Sequence, residues 1–285
     1  MSPSRITVTE LQQRKSRGER ITMLTAYDYS MAQLLDEAGI DVLLVGDSLA
    51  MVVLGFDSTT PVTMEAMLHH AGAVRRGTNR AMVVGDLPAV SLGGAVAEAV
   101  RDARRFVDEA GCDAVKVEWK PGMDATARAI VEAGIAVMGH VGLTPQTAQA
   151  EGGFTVRGRD AASARRIVDQ ALALQEAGCF AMVLECVPDA LAKVITARLR
   201  VPTIGIGAGR HCDGQVLVTY DLLGLFQGFR PKFVKAYADL AGAIRKAAGE
   251  YIREVGSGAF PDAARSFTMP EEEMARLRRE LDSPR

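Results

Sequence analysis

A closed α/β barrel, with eight parallel strands each followed by a helix or loop in the (β/α)8 manner, is predicted by three features of this sequence. Short apolar runs alternate with helical patterns along most of the 285 residues, and eight such runs can be counted. Helices between them repeatedly finish in Glu-Ala-Gly, at Gly39, Gly111, Gly134 and Gly178, which supplies the glycine favoured just past a helix C-terminus. The runs themselves end in charged or polar residues: VLLVGDS at Asp47, MVVGDLP at Asp86, AVKVEW at Lys116 and Glu118, VMGH at His140 and MVLEC at Glu185. Residues that are expensive to bury, placed where strands give way to loops, imply that several strands deliver chemistry to one shared face.

Alternating strands and helices joined by tight turns require a parallel sheet, and right-handed crossovers leave an open doubly wound sheet or a closed barrel. Eight units favour closure. An open dinucleotide-binding sheet would carry GxGxxG after an early strand, whereas the glycine cluster from Gly205 to Gly209 follows the seventh run and opens no clear helix.

In chain order, an amphipathic N-terminal helix is expected at residues 9–17. Strands are expected at 21–28, 41–46, 81–86, 114–118, 136–140, 181–185, 203–207 and 216–220, each a β-prone apolar run bounded by glycine or polar residues. Helices are expected at 30–38, 64–76, 95–110, 124–133, 161–177 and 188–199. Residues 144–160, TPQTAQAEGGFTVRGRD, form a long polar loop after the fifth strand and are a candidate lid. From about residue 257 the chain, with Pro261, Pro270 and a highly charged finish, reads as a surface extension or oligomer contact on a single domain spanning 1–285.

Apolar residues at 48% and charged residues at 24% fit a globular chain with a sizeable core and exclude a disordered class. A formal charge of −2 and a pI near 6.1, with no long block of either sign, argue against broad binding to nucleic acid or an anionic membrane. The expected partner is a small molecule. The N-terminus lacks an apolar core of signal-peptide length and no stretch reaches the roughly 18 apolar residues of a membrane span, so a cytoplasmic location is expected. Cys112, Cys179, Cys186 and Cys212 show no CxxC pairing and lie in or beside apolar runs, the pattern of buried free thiols without a function.

Asp47 and Asp86 each follow aliphatics and a glycine, so each carboxylate is expected just beyond its strand. Either aspartate alone reads as a cap for the turn that follows. As a converging pair they repel unless a cation or proton lies between them, and without a histidine-cysteine set their oxygens suit Mg²⁺. Lys116 and Glu118, two residues apart on one strand, share its interior face. They read either as a structural ion pair or as groups that hold a substrate carboxylate and a metal-bound water. Glu185 follows an apolar run, surroundings that raise a carboxyl's affinity for protons and make it a better base. Its alternative role is to accept a backbone or lysine hydrogen bond. His140 reads as a satisfied buried histidine or as a donor to a substrate oxygen. This inventory supports metal-assisted enolisation of a 2-oxo acid, followed by attack of the carbon nucleophile on an electrophile.

The run from Ile21 to Gly77, followed by GDLP, VKVE, GHVGLTPQ, GGFTVRGR, LECVP, PTIGIGAG, DGQVLV and PKFVK, resembles the ketopantoate hydroxymethyltransferase family over residues 9–267. The resemblance implies a barrel of the phosphoenolpyruvate mutase and isocitrate lyase type, assembled as a homodecamer. It also implies hydroxymethyl transfer from 5,10-methylenetetrahydrofolate to 3-methyl-2-oxobutanoate, giving 2-dehydropantoate for pantothenate and coenzyme A biosynthesis. Carried over by motif, Asp47 and Asp86 are Mg²⁺ ligands with Glu118 completing the site directly or through water. Ser48 and Lys116 bind the keto acid, His140 orients it and Glu185 accepts the C3 proton. The folate and its electrophile come from the resemblance alone. Phe56, Ala50, Trp119, Lys120 and residues 89–94 depart from the family's usual pattern, and a tryptophan beside Glu118 is expected to narrow the pocket or stack on a ligand. Two rivals are a sibling aldolase or lyase acting on another 2-oxo acid, and a non-catalytic paralogue serving as a ligand-binding scaffold. The KKCGH segment of isocitrate lyases is absent, and a scaffold has no reason to keep charges at a barrel rim.

Overall fold

The eight apolar runs form eight parallel strands that close in chain order, with β8 returning to pair with β1. The coordinates are a computed structural model that describes residues 4–148 and 153–282. Two compact units are present, Met1–Tyr237 and Ala238–Arg285.

In the first unit, α1 (Val8–Arg17) precedes β1 (Ile21–Thr25), α2 (Tyr29–Glu37) and β2 (Val42–Val45). A short turn of helix, α3 (Leu49–Val52), and α4 (Met64–Arg76) lead to β3 (Met82–Asp86), then α5 (Ala89–Leu92) and α6 (Val96–Asp108) lead to β4 (Ala114–Glu118). The pattern continues with α7 (Met123–Glu132), β5 (Val137–Gly142), α8 (Ala161–Glu176), β6 (Ala181–Glu185), α9 (Asp189–Arg198), β7 (Thr203–Ile206), β8 (Gly214–Leu217) and α10 (Thr219–Leu222). The second unit holds α11 (Leu240–Ser257), a 3-10 turn at Ala263–Arg265 and α12 (Glu271–Asp282). Of the candidate lid, residues 149–152 lie outside the described residues.

Side-chain capping sets several of these boundaries. Asp28 accepts a hydrogen bond from the Met31 amide at 2.8 Å and starts α2, so β1 stops at Thr25 rather than running to residue 28. Thr63 and Asp160 cap α4 and α8 in the same way. The last strand differs most from expectation: it occupies Gly214–Leu217, and the Thr219 amide donates to Thr25 Oγ1 at 3.0 Å while the Thr219 hydroxyl donates to the Thr25 carbonyl at 2.5 Å. Those bonds turn the chain into α10 and tie the end of β8 to the end of β1.

Strand alternation divides the core in two. Ile21, Met23, Val42, Leu44, Met82, Val84, Ala114, Met138 and Ile204 fill the barrel interior, closed at its lower end by Ile6, Leu11 and Phe180. Leu43, Val45, Val83, Val115, Val117, Val137, Met182 and Leu184 point outward and pack with the helices. Burial of two complete faces explains why the strands read as continuous apolar runs.

Gly85 is required by this packing. A Cβ at that position would lie 2.3 Å from the ring of Phe106, which is wholly buried on α6. Gly85→Ala is therefore expected to destabilise the fold by about 1–3 kcal/mol and to displace the neighbouring Asp86, seen as a lower midpoint in urea. A midpoint equal to that of the parent would show that α6 can retreat without loss.

Cys112, Cys179 and Cys212 are buried free thiols and Cys186 is a half-buried one. Among the described residues, no helix is long and apolar enough to cross a membrane.

Candidate active site

The interior rows that carry Val84, Ala114, Met138 and Val183 through the core carry, two or four residues later, Asp86, Lys116 and Glu118, His140 and Glu185. These four rows are apolar low in the barrel and charged at the C-terminal strand ends, the end at which barrels of this kind build their sites. Parallel register sets Asp86 beside Lys116 and Glu118 beside His140. Asp47 and Ser48 arrive from the turn after β2, and all seven residues line one cavity of about 410 Å³.

Lys116 is the hub. Its ammonium lies 2.8 Å from Asp86 Oδ1, 3.3 Å from His140 Nδ1 and 3.6 Å from Glu118 Oε1. His140 lies between two carboxylates, with Nδ1 3.4 Å from Glu118 Oε1 and Nε2 3.3 Å from Glu185 Oε2. The Asp47 amide donates to Asp86 Oδ2 at 3.2 Å, which joins the ends of β2 and β3. Ser48 Oγ shares a 2.8 Å hydrogen bond with the hydroxyl of buried Tyr27. Glu185 is the most accessible of the carboxylates, with a side chain 16% exposed against 3% for Glu118 and 1% for Asp86. It is thus less enclosed than its apolar run implied.

Burial, and then repulsion from Asp86 and Glu118, hold the Asp47 carboxyl well above the usual carboxylate range. Burial also raises Asp86, against the relief that Lys116 provides. Glu118 goes the other way: burial opposes its charge, but Lys116 and His140 outweigh that cost and lower it. The Lys116 ammonium is likewise disfavoured by burial, yet the surrounding carboxylates raise its pKa.

For His140, burial and Lys116 disfavour the charged ring, but the adjacent Glu118 and Glu185 carboxylates prevail and push it up to about 9. Because the folded state binds this proton more tightly than the unfolded chain, the resulting stability is complete below about pH 6.5 and is lost as pH rises through about 9. In EDTA-treated protein, NMR titration of the His140 ring is expected to show a midpoint near 9 that moves downward in Glu118→Gln. A midpoint at 6.5 in the parent would mean that the ring sits neutral between its carboxylates.

The site has more anionic than cationic capacity. Asp86 Oδ1 is buried, and burial disfavours its charge even with the Lys116 ammonium 2.8 Å away. Asp47, raised by burial and then by its carboxylate neighbours, is the other group a cation would relieve. These are hard oxygen donors and they fit Mg²⁺. Among the described residues, no three Asp, Glu, His or Cys side chains converge at metal-ligand spacing, because Lys116 lies between Asp86 and Glu118. The fit is therefore to the two aspartates, with Lys116 standing between Asp86 and Glu118.

Several cavity residues escaped the sequence reading. Gln146 donates from its side chain to Asp47 Oδ2 and to the Leu87 carbonyl, both at 3.0 Å, and from its amide to Glu118 Oε2 at 3.0 Å. Its only sequence signal was its place directly after β5, in GHVGLTPQ. Cys186, expected to have no role, lines the cavity with a left-handed backbone, φ 47°. An aromatic wall of Phe154, Phe226, Phe229 and Phe233 also faces the cavity. Trp119, expected to shape the pocket, does not: alternation turns it outward from Glu118, and it packs on the outer core. Two other departures from the family pattern meet each other, because the Lys120 ammonium donates to the Leu92 carbonyl in residues 89–94. Phe56 is 45% exposed and outside the cavity lining, and Ala50 is buried in the outer core.

Solved structures share this architecture. Phosphonopyruvate hydrolase, in complex with oxalate and Mg²⁺, matches with a TM-score of 0.59 at 14% identity over 96% of each chain. 2,3-Dimethylmalate lyase, described as a PEP mutase/isocitrate lyase superfamily member, matches with a TM-score of 0.56 at 15% identity over 96% of this chain and 98% of that one. The closed eight-stranded barrel is therefore a fold shared with these proteins, and the charged pocket at its C-terminal strand ends lies where barrels of this kind build their active sites. Within that class, the ketopantoate hydroxymethyltransferase family model matches residues 5–263, and the chain belongs to that family. A 3-methyl-2-oxobutanoate hydroxymethyltransferase from Moorella thermoacetica is 59% identical over 93% of this chain and 98% of its own length. One from Syntrophus aciditrophicus is 56% identical over 92% of this chain and 97% of its own.

Proposed function

We propose that this enzyme transfers a hydroxymethyl group from 5,10-methylenetetrahydrofolate, with water, to 3-methyl-2-oxobutanoate, giving 2-dehydropantoate and tetrahydrofolate for pantothenate and coenzyme A biosynthesis. The observation that carries the reading is the chain of contacts Asp86–Lys116–His140–Glu185 among residues that line one cavity. It sets a cation-binding end apart from a more open carboxylate that can act as base. Residues with these roles are what removal of a proton next to a carbonyl needs.

Lys116 and Ser48 hold the keto acid, the first by charge and the second by its hydroxyl, which Tyr27 orients. Glu185 takes the C3 proton, and His140, 3.3 Å from it, fixes the direction of that carboxylate and faces the substrate. Val183, Ile206 and Val216 give the cavity apolar walls suited to the branched carbon chain and restrict water near the carbon that attacks the folate methylene. Asp47 and Asp86 would hold Mg²⁺, with Glu118 joining directly or through water, and the ion when bound supplies Lewis acidity that favours loss of the C3 proton.

We further propose assembly as a homodecamer. Exposed apolar residues of α11, Ile244, Tyr251 and Ile252 among them, support an oligomer contact in the C-terminal unit. Light scattering on the purified protein checks the subunit number.

The reaction is tested by following deuterium exchange at C3 of 3-methyl-2-oxobutanoate by NMR with Mg²⁺ or EDTA, before and after adding the folate. Metal-dependent exchange followed by formation of 2-dehydropantoate is the expected result. Folded, metal-loaded protein that exchanges no deuterium would redirect the assignment to another 2-oxo acid.

A further inference from the structure

We infer that Gln146 is the positioning residue that orients the candidate metal carboxylates, by fixing one oxygen of Asp47 and one of Glu118 from the loop after β5. This rests on the proposed metal site. Gln146 uses both side-chain N–H groups and its backbone N–H at once: the side chain donates to Asp47 Oδ2 and to the Leu87 carbonyl, and the amide donates to Glu118 Oε2, each at 3.0 Å. Asp47 follows β2, Leu87 follows β3 and Glu118 ends β4, while Gln146 itself follows β5. One residue therefore ties the end of its own strand to those of the three preceding ones, and the contacts span 28, 59 and 99 positions of sequence.

The amide suits this task for chemical reasons. Asp47 and Glu118 are buried and repel each other, so without fixed donors each carboxylate would turn away from its neighbours. A lysine or arginine in place of Gln146 would supply donors but also a positive charge that competes with a cation, and a glutamate would add another anion beside Asp47. A neutral side chain with two N–H groups organises the carboxylates and leaves their charge for the ion. The Leu87 carbonyl, by accepting the second N–H, sets the amide plane so that the first points at Asp47. Hydrogen bonds of this outer kind typically decide about 10–100-fold in metal affinity.

The test compares Mn²⁺ binding, by calorimetry and electron paramagnetic resonance, in the full-length protein and in its Gln146→Met, Gln146→Ala and Asp47→Asn forms. Methionine keeps the bulk and the backbone donor but removes both side-chain donors. The expected result is that Gln146→Met and Gln146→Ala bind Mn²⁺ about 10–100-fold more weakly while melting within a few degrees of the parent, and that Asp47→Asn binds none. Unchanged affinity in both Gln146 variants, with Asp47→Asn still defective, overturns the role of Gln146 and leaves the metal site standing. Loss of the fold in both variants also overturns it, in favour of a structural role. Parent protein without affinity for Mn²⁺ overturns the metal site and this inference together.

Discussion

Glu185→Gln is expected to slow deuterium exchange at C3 of 3-methyl-2-oxobutanoate by about 10²–10⁴-fold while metal and keto acid binding persist. Glutamine has nearly the same shape as glutamate, so the cavity wall of Val183, Cys186 and Ile206 keeps its form. His140 Nε2, 3.3 Å from the replaced carboxylate, still faces an oxygen at that position. What disappears is a group able to accept the proton. Because Asp86, Lys116 and Glu118 interact among themselves on the other side of His140, the binding half of the site should be left intact. Exchange at the parent rate would remove Glu185 from the mechanism; loss of both binding and exchange would mean that it holds the substrate instead.

The second large effect is one of opposite sign on stability and binding. Asp47→Asn should abolish Mg²⁺ binding and yet stabilise the metal-free protein by roughly 0.5–2 kcal/mol. Asp47 is buried, and its charge is disfavoured first by that burial and then by Asp86 and Glu118. A carboxyl whose pKa is raised on folding costs stability at every pH above its unfolded value, so the cost is present at neutrality and shrinks as pH falls. Asparagine removes the charge while its side-chain carbonyl can still accept from Gln146 and the backbone N–H of residue 47 still donates to Asp86 Oδ2. Thermal melts in EDTA should therefore rise for Asp47→Asn, and addition of Mg²⁺ should raise the melting temperature of the parent alone. A variant that melts lower in EDTA would show that Asp47 stabilises the empty site rather than straining it.

Most of the barrel was legible because its code is local. The aspartates of VLLVGDS and MVVGDLP announced two strand ends, and the spacing of Lys116 and Glu118 put both on an interior face. The short helices at Leu49–Val52 and Ala89–Leu92 were not legible, since four residues carry no period. The extent of β8 was misjudged because Thr219 is claimed by Thr25, which lies 194 residues earlier. Trp119 was misread in a different way: its neighbour Glu118 faces the cavity, and by alternation the tryptophan therefore cannot.

By itself, then, the sequence determined which residues end up inside the barrel and at which end, since a two-residue period fixes side-chain direction within each strand. Tertiary structure alone decided which of those residues meet. Lys116 touches Asp86 and His140, and Gln146 reaches Asp47, only because strand pairing and barrel closure bring chain segments 24 to 99 residues apart within hydrogen-bonding range. Such contacts are set by register across the sheet and by the path of a loop, and neither leaves a periodic trace in the residues that make them.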